Sequence, residues 1–140
     1  MLSYTILAVT AADATTYMEA RGKAAWPADA DDRTEALRRG QDYIAREYNE
    51  RWAEEWENDD APELVQFAIY EAALAEAVTP GLLSPTVKAI DAKILTKAPE
   101  VEWTPVGGLS GVSSLKPRLM HIEALLRPVL TATGTVLVRA

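Results

Sequence analysis

Asp60-Ala-Pro-Glu-Leu-Val-Gln-Phe-Ala-Ile-Tyr-Glu-Ala-Ala-Leu-Ala-Glu-Ala-Val78 is the stretch on which the fold turns. From Leu64 to Val78 only Gln66, Glu71 and Glu76 are polar. At about 100° per residue these three point in widely separated directions around a helix. A helix apolar nearly all round has to be enclosed, by the other elements of its domain or by neighbouring subunits. Ala68, Ala72, Ala73, Ala75 and Ala77 let such neighbours come close. Asp60 is placed to cap the first turn, Pro62 sits in that turn where its missing N–H costs nothing, and Glu63 lies at the positive end of the helix dipole. Pro80-Gly81 stops the helix.

Working outward, the preceding segment is its natural cover. Asp32-Arg-Thr-Glu35 reads as a capping box, with Asp32 as N-cap. The helix that follows puts Ala36, Leu37, Gly40, Tyr43, Ile44 and Tyr48 on one side and Glu35, Arg38, Arg39, Asp42, Arg46 and Asn49 on the other. Beyond about Asn49 the same wheel would place Arg51 and Glu55 on the apolar side, so the helix ends or leaves the body there. Trp52 and Trp56 come next, four residues apart among Glu50, Glu54, Glu55, Glu57, Asp59 and Asp60; on a helix they would share a face. Upstream, Tyr4 to Val9 reads as a short strand. A short helix starts at Asp13 or Thr15 and closes on Gly22, and a loop carries Trp26-Pro27. Downstream, Val87 to Leu95 and Val101-Glu-Trp-Thr104 read as a hairpin turning near Lys97-Ala-Pro99. A last helix from about Lys116 aligns Leu119, Ile122, Leu125, Leu126 and Val129, with Pro128 bending or ending it. Thr135 to Val138 reads as a closing strand. The expected fold is mainly α: a small bundle of about four helices with a β-hairpin and short terminal strands, one domain over residues 1–140 with a flexible tail from about residue 131.

The totals fit this and exclude several functions. The 140 residues suit one domain. A 49% hydrophobic, 25% charged composition is that of a globular chain. With no cysteine, disulfide, thiolate and zinc-thiolate chemistry are excluded. No run is long enough to span a bilayer, and the apolar start lacks the basic residues of a signal peptide. The net charge is −7, from 21 acids and 14 bases, which sets nucleic-acid binding at a disadvantage. His121 is the lone histidine and is expected to be structural or at the surface. The glycine-rich stretch 107–111 has neither a phosphate-loop ending nor dinucleotide spacing. The carboxylates from Glu47 to Glu63 show no calcium-loop spacing and read as a solvated face. No catalytic residue, cofactor or metal is expected.

Thr16-Tyr-Met-Glu-Ala-Arg-Gly22, Ala25-Trp26, Glu35-Ala-Leu-Arg-Arg-Gly-Gln-Asp-Tyr-Ile44 and Arg46-Glu-Tyr48 resemble the opening half of the phage family filed as "putative DnaT-like single-stranded-DNA-binding protein". Ala61-Pro62, Pro80-Gly-Leu-Leu83, Val101-Glu-Trp103, Leu125-Leu-Arg-Pro-Val-Leu130 and Val136-Leu-Val-Arg-Ala140 extend the resemblance. Where that family has a Trp-Pro-Arg element, this chain has the acidic Trp52 to Asp60 stretch.

Members of that family resemble head-to-tail adaptor, or connector, proteins of long-tailed phages. The resemblance implies a structural virion protein of the siphovirus neck, made in the host cytoplasm. It would form a homo-oligomeric ring, a dodecamer following the portal, that meets the portal protein on one side and a stopper or tail-completion protein on the other. Genomic DNA would pass through without specific binding, and no membrane would be involved. The alternative is a single-stranded-DNA-binding module of the DnaT-like type. Trp52 and Trp56 read either as rings packed on the domain or as an interface anchor; with that second reading the expected interface residues are Trp52, Trp56, Lys88, Lys93, Trp103, Val136, Leu137, Val138 and Arg139.

Overall fold

The computed structural model describes residues 1–84 and 119–132. The chain divides into two units, Met1–Leu83 with Leu119–Ala140, and Ser84–Arg118. Every described residue except Ser84 belongs to the first, so the fold below is that of this unit. It is helical, with α1 (Ala11–Ala20), α2 (Ala30–Tyr48), α3 (Glu63–Val78) and α4 (Met120–Leu126), and no strand among the described residues. The hairpin expected at Val87 to Thr104, with Lys88, Lys93 and Trp103, lies outside the described residues. So do the closing strand with Val136, Leu137, Val138 and Arg139, the glycine-rich stretch, and the expected helix start at Lys116.

The fold is built on α2 against α3. All six residues assigned to the inner side of α2 are buried: Ala36, Leu37, Gly40, Tyr43, Ile44 and Tyr48. On α3, Val65, Ala68, Ile69, Tyr70, Glu71, Ala72, Ala73 and Glu76 are buried, so the helix is enclosed over most of its circumference. α4 packs on α3 through Ile122 and Leu126, both fully buried. Together with Leu37, Ile44, Val65 and Ile69 they form the centre of the core. Fully burying an aliphatic side chain stabilises by about 1.5–3 kcal/mol, so this centre dominates the energetics of the unit.

The ends of the helices depart from the sequence reading in instructive ways. α1 begins at Ala11, not Asp13 or Thr15, because the Thr10 hydroxyl accepts from the Asp13 N–H and supplies the cap. Its end follows expectation: Gly22 has φ 63°, and the N–H groups of Gly22 and Lys23 donate to the carbonyls of Glu19 and Met18, the Schellman arrangement. The N-cap of α2 is Asp29, not Asp32. The Asp29 carboxylate accepts from the N–H groups of Asp31 and Asp32, and those two acids then sit in the first turn against the dipole. α3 is entered through Pro62 without a side-chain cap, and Asp60 instead ends a short 3-10 turn, Asn58–Asp60. The Glu76 carboxylate accepts from the N–H groups of Gly81 (3.0 Å) and Leu83 (3.1 Å). This buried acid therefore closes the chain reversal after Pro80.

Two segments differ in kind. Tyr4 to Val9 is not a strand but a series of bends. The Ser3 hydroxyl captures the N–H groups of Thr5 and Ile6, a local bond that competes with sheet pairing. Glu50 to Glu57 is not helical either, so Trp52 and Trp56 do not share a helix face. Trp52 instead pairs with Leu130 in an antiparallel bridge, where Ala53 N–H donates to Val129 O and Thr131 N–H to Arg51 O. After α4 the chain passes through a 3-10 turn, Arg127–Val129, that contains Pro128.

Candidate interaction face

The end of α2 and the start of α3 hold a face assembled from parts distant in sequence. Asn49, the last residue of α2's cap, exchanges two hydrogen bonds with Leu2: Leu2 N–H donates to Asn49 Oδ1 and Asn49 Nδ2 donates to Leu2 O, each 2.9 Å. Leu2 is thereby sunk into the core. The Met1 ammonium donates to Trp56 O, and Asn58 accepts from Ser3 N–H and donates to Ile6 O. Gln41, on the buried side of α2, donates to Ser3 O and Ile6 O and accepts from Ala8 N–H, all at 2.7 Å. Three amide side chains thus hold the first eight residues as an arm across the protein.

What this arm presents outward is apolar. Met1, Tyr4 and Ile6 are 66%, 58% and 66% exposed. The Met1 ammonium on Trp56 O joins the arm to the stretch carrying the half-buried indoles of Trp52 and Trp56, which lie 5.1 Å apart in a tilted arrangement. Trp52 also lies 6.2 Å from Tyr48 and donates through Nε1 to Asn49 Oδ1. Glu54, Glu55, Glu57, Asp59 and Asp60 are exposed around the pair. Of the expected interface residues, the structure brings Trp52 and Trp56 together with an arm that sequence reading had taken for a strand. The signal that was present is Gln41 itself. It falls four residues after Leu37 and three before Ile44, on the buried side, where an amide needs partners.

A second cluster lies where α1, α3 and α4 meet. Tyr17 Oη donates to Glu71 Oε1 at 2.8 Å, and His121 Nε2 stands 3.7 Å from Glu71 Oε2. With Lys23, Ala124 and Leu125 they line an open cleft of about 620 Å³. Burial, reinforced by the Glu71 carboxylate, pushes the Tyr17 phenol up to about 12, so it is a firm neutral donor. The half-exposed His121 is placed by α4 as a surface partner of a buried acid. The Arg21 guanidinium covers the outer face of the Tyr17 ring at 3.7 Å. Among the described residues no three His, Asp or Glu side chains are grouped to hold a metal ion.

The arginines of α2 are engaged with the protein. Arg38 donates to Thr5 O and Arg46 to Leu83 O, both at 2.8 Å. Arg33 donates to Pro27 O, and Arg39 pairs with Glu35 and Glu76. No helix among the described residues is long and apolar enough to cross a membrane.

Residues 8–56, which span α1, α2 and both indoles, match the model of a family described as "Putative DnaT-like ssDNA binding protein". The match covers the first group of motifs noted above and stops before α3. No curated protein and no solved structure matches the chain.

Proposed function

We propose that this chain is a structural virion protein, a head-to-tail adaptor that assembles as a ring between the portal and the next neck component of a long-tailed phage. The observation that carries the reading is the charge of the described residues, 18 acids against 8 bases with all but Glu71 and Glu76 outside the buried core, together with apolar side chains displayed on a tethered arm. Acidic walls suit a passage through which DNA slides without sticking. Exposed apolar side chains next to an aromatic pair suit contact with protein neighbours. The test is to mix the full chain with the portal protein of the same genome and image the product by electron microscopy. A ring seated on the portal is expected; absence of any complex at micromolar concentrations would sink the proposal.

A single-stranded-DNA-binding module is the second reading, and it is the one that the family description over residues 8–56 favours. Such modules combine a basic groove with aromatic platforms. The matched stretch has eleven acids against seven bases, its aromatic pair is ringed by acids, and α2's arginines are held by protein acceptors. A salt-dependent shift of a labelled single-stranded oligonucleotide at micromolar protein would establish this reading. No binding at low salt would remove it.

A further inference from the structure

We infer that the cleft between α1, α3 and α4 is a base-reading site, in which the Glu71 carboxylate takes the N–H edge of a guanine from a single strand. This rests on the single-strand reading above and names the part of the ligand that the cleft recognises.

Glu71 is the starting point. Its side chain is only 10% exposed, and a buried carboxylate is costly unless its acceptor positions are filled. Tyr17 Oη fills one of them, on Oε1. Oε2 receives no hydrogen bond among the described residues: His121 Nε2 stands 3.7 Å away, beyond hydrogen-bond reach. A carboxylate has about four acceptor positions, so Glu71 brings unfilled ones to the wall of the cleft, oriented by the Tyr17 bond. The cleft, about 620 Å³, falls within the roughly 300–1,000 Å³ of small-ligand sites.

The charges around the cleft select the chemistry of the ligand. An anionic group would meet Glu71. A cationic one would meet Lys23 on the wall and Arg21, whose guanidinium lies 3.7 Å from the centre of the Tyr17 ring. The group that fits is neutral, with N–H donors for Glu71, an acceptor for Lys23 and a flat apolar face for Ala124 and Leu125. A nucleobase carries all three on one rigid frame. Among the four bases guanine alone sets two N–H donors on adjacent atoms, N1 and the 2-amino group, with the O6 acceptor beside them. A carboxylate accepts such a pair through both oxygens.

The strand itself is better served here than at the indoles. From Glu50 to Glu63, around Trp52 and Trp56, there are seven acids and one base, whereas from Tyr17 to Trp26 there are two bases and one acid. Tyr17 also belongs to an aromatic cluster, with the Phe67 and Tyr70 rings 4.9 and 5.1 Å from its own. Arg21 and Lys23 are both exposed beside it. With Lys23 on the base, Arg21 is left to meet a phosphate.

The test uses the full chain and labelled single strands of repeated TTG, TTI and TTA, read by fluorescence anisotropy at low salt; inosine (I) is guanine's counterpart without the 2-amino group. The TTG strand should bind at least about ten-fold more tightly than TTA, with TTI between them. Glu71→Gln should bring TTG to the affinity of TTA, and Lys23→Ala should weaken TTG more than TTA, with both variants melting within a few degrees of the parent. The inosine strand probes the same contact with the protein unaltered, so the test holds even if Glu71→Gln does not fold. Equal binding of the three strands by the parent, or a guanine preference that Glu71→Gln keeps, would overturn the inference and leave the single-strand reading in place. No binding of any strand would remove both, and imaging with the portal would judge the adaptor reading separately.

Discussion

Gly40 of α2 and Ala73 of α3 meet backbone to backbone where the two helices cross. A methyl group at Gly40 would stand 2.8 Å from the Ala73 amide nitrogen and 2.8 Å from the Ile69 carbonyl oxygen. No rotamer change relieves a clash with backbone, so Gly40→Ala must push the central pair of helices apart. Overpacking of this kind costs about 1–3 kcal/mol, and here it falls on the pairing that builds the core. Urea unfolding of Gly40→Ala should show the loss. Gly22→Ala is the contrast: nothing lies within 4 Å, but φ is 63°, so only the left-handed conformation is penalised, by about 1 kcal/mol.

Gln41 should matter more than its place on a helix suggests. Its amide satisfies three backbone groups of the arm, and leaving a buried polar group unpaired costs about 1–3 kcal/mol. Gln41→Met keeps the volume and removes the bonds. The expected outcome is a folded bundle with a detached arm: amide exchange at Ala8 accelerates by orders of magnitude while the α2 and α3 amides stay protected. Unchanged exchange at Ala8 would show that Asn49 and Asn58 hold the arm without Gln41.

The helical pair was legible because its signal is local and periodic. Leu37, Ile44 and Tyr48 recur at helical spacing, and an apolar run as long as Leu64 to Val78 has to be enclosed. The arm was not legible, because Tyr4 to Val9 has strand-like composition and the groups that override it come from elsewhere: Gln41, Asn49 and Asn58 are 33 to 55 residues away from the groups they bind. The caps were misplaced by two or three residues for a related reason. Asp29, Asp31 and Asp32 are equally good caps on paper, and the backbone entering from Pro27 chooses among them. Trp52 and Trp56 were found as a pair but on the wrong scaffold, since the bridge to Leu130 depends on a chain segment about 80 residues later.

Alkaline pH should unfold the protein through its tyrosines. Burial raises Tyr17, Tyr43 and Tyr70 to about 12 each, aided at Tyr17 by Glu71 and at Tyr43 by Tyr48 and Glu47. In the unfolded chain these phenols ionise near 10. Between pH 10 and 12 the unfolded state therefore releases protons that the native state keeps, and stability falls as pH rises. Below pH 10 the three tyrosines are protonated in both states and contribute no pH dependence. Urea midpoints measured from pH 8 to 12 should be flat at first and then drop. In Tyr17→Phe the drop should be shallower, because one of the three groups has been removed; an unaltered slope would mean that Tyr17 ionises freely in the native state.

Trp52 and Trp56 test the interaction face directly. Both are half-buried and pack on the edge of the core, so truncating them removes less than the about 3–5 kcal/mol of a fully buried aromatic. Trp52→Ala with Trp56→Ala should keep the far-ultraviolet helical signal and a cooperative melt at lower temperature. On the adaptor reading the same double variant should fail to join the portal, because the half-exposed indole pair is gone. Trp26→Ala is the control for a core role: Trp26 is buried, and its Nε1 donates to Thr15 Oγ1 at 3.1 Å, so its loss should destabilise without selectively abolishing assembly. A Trp52/Trp56 double variant that no longer folds would place both rings in the core and remove them from the interface.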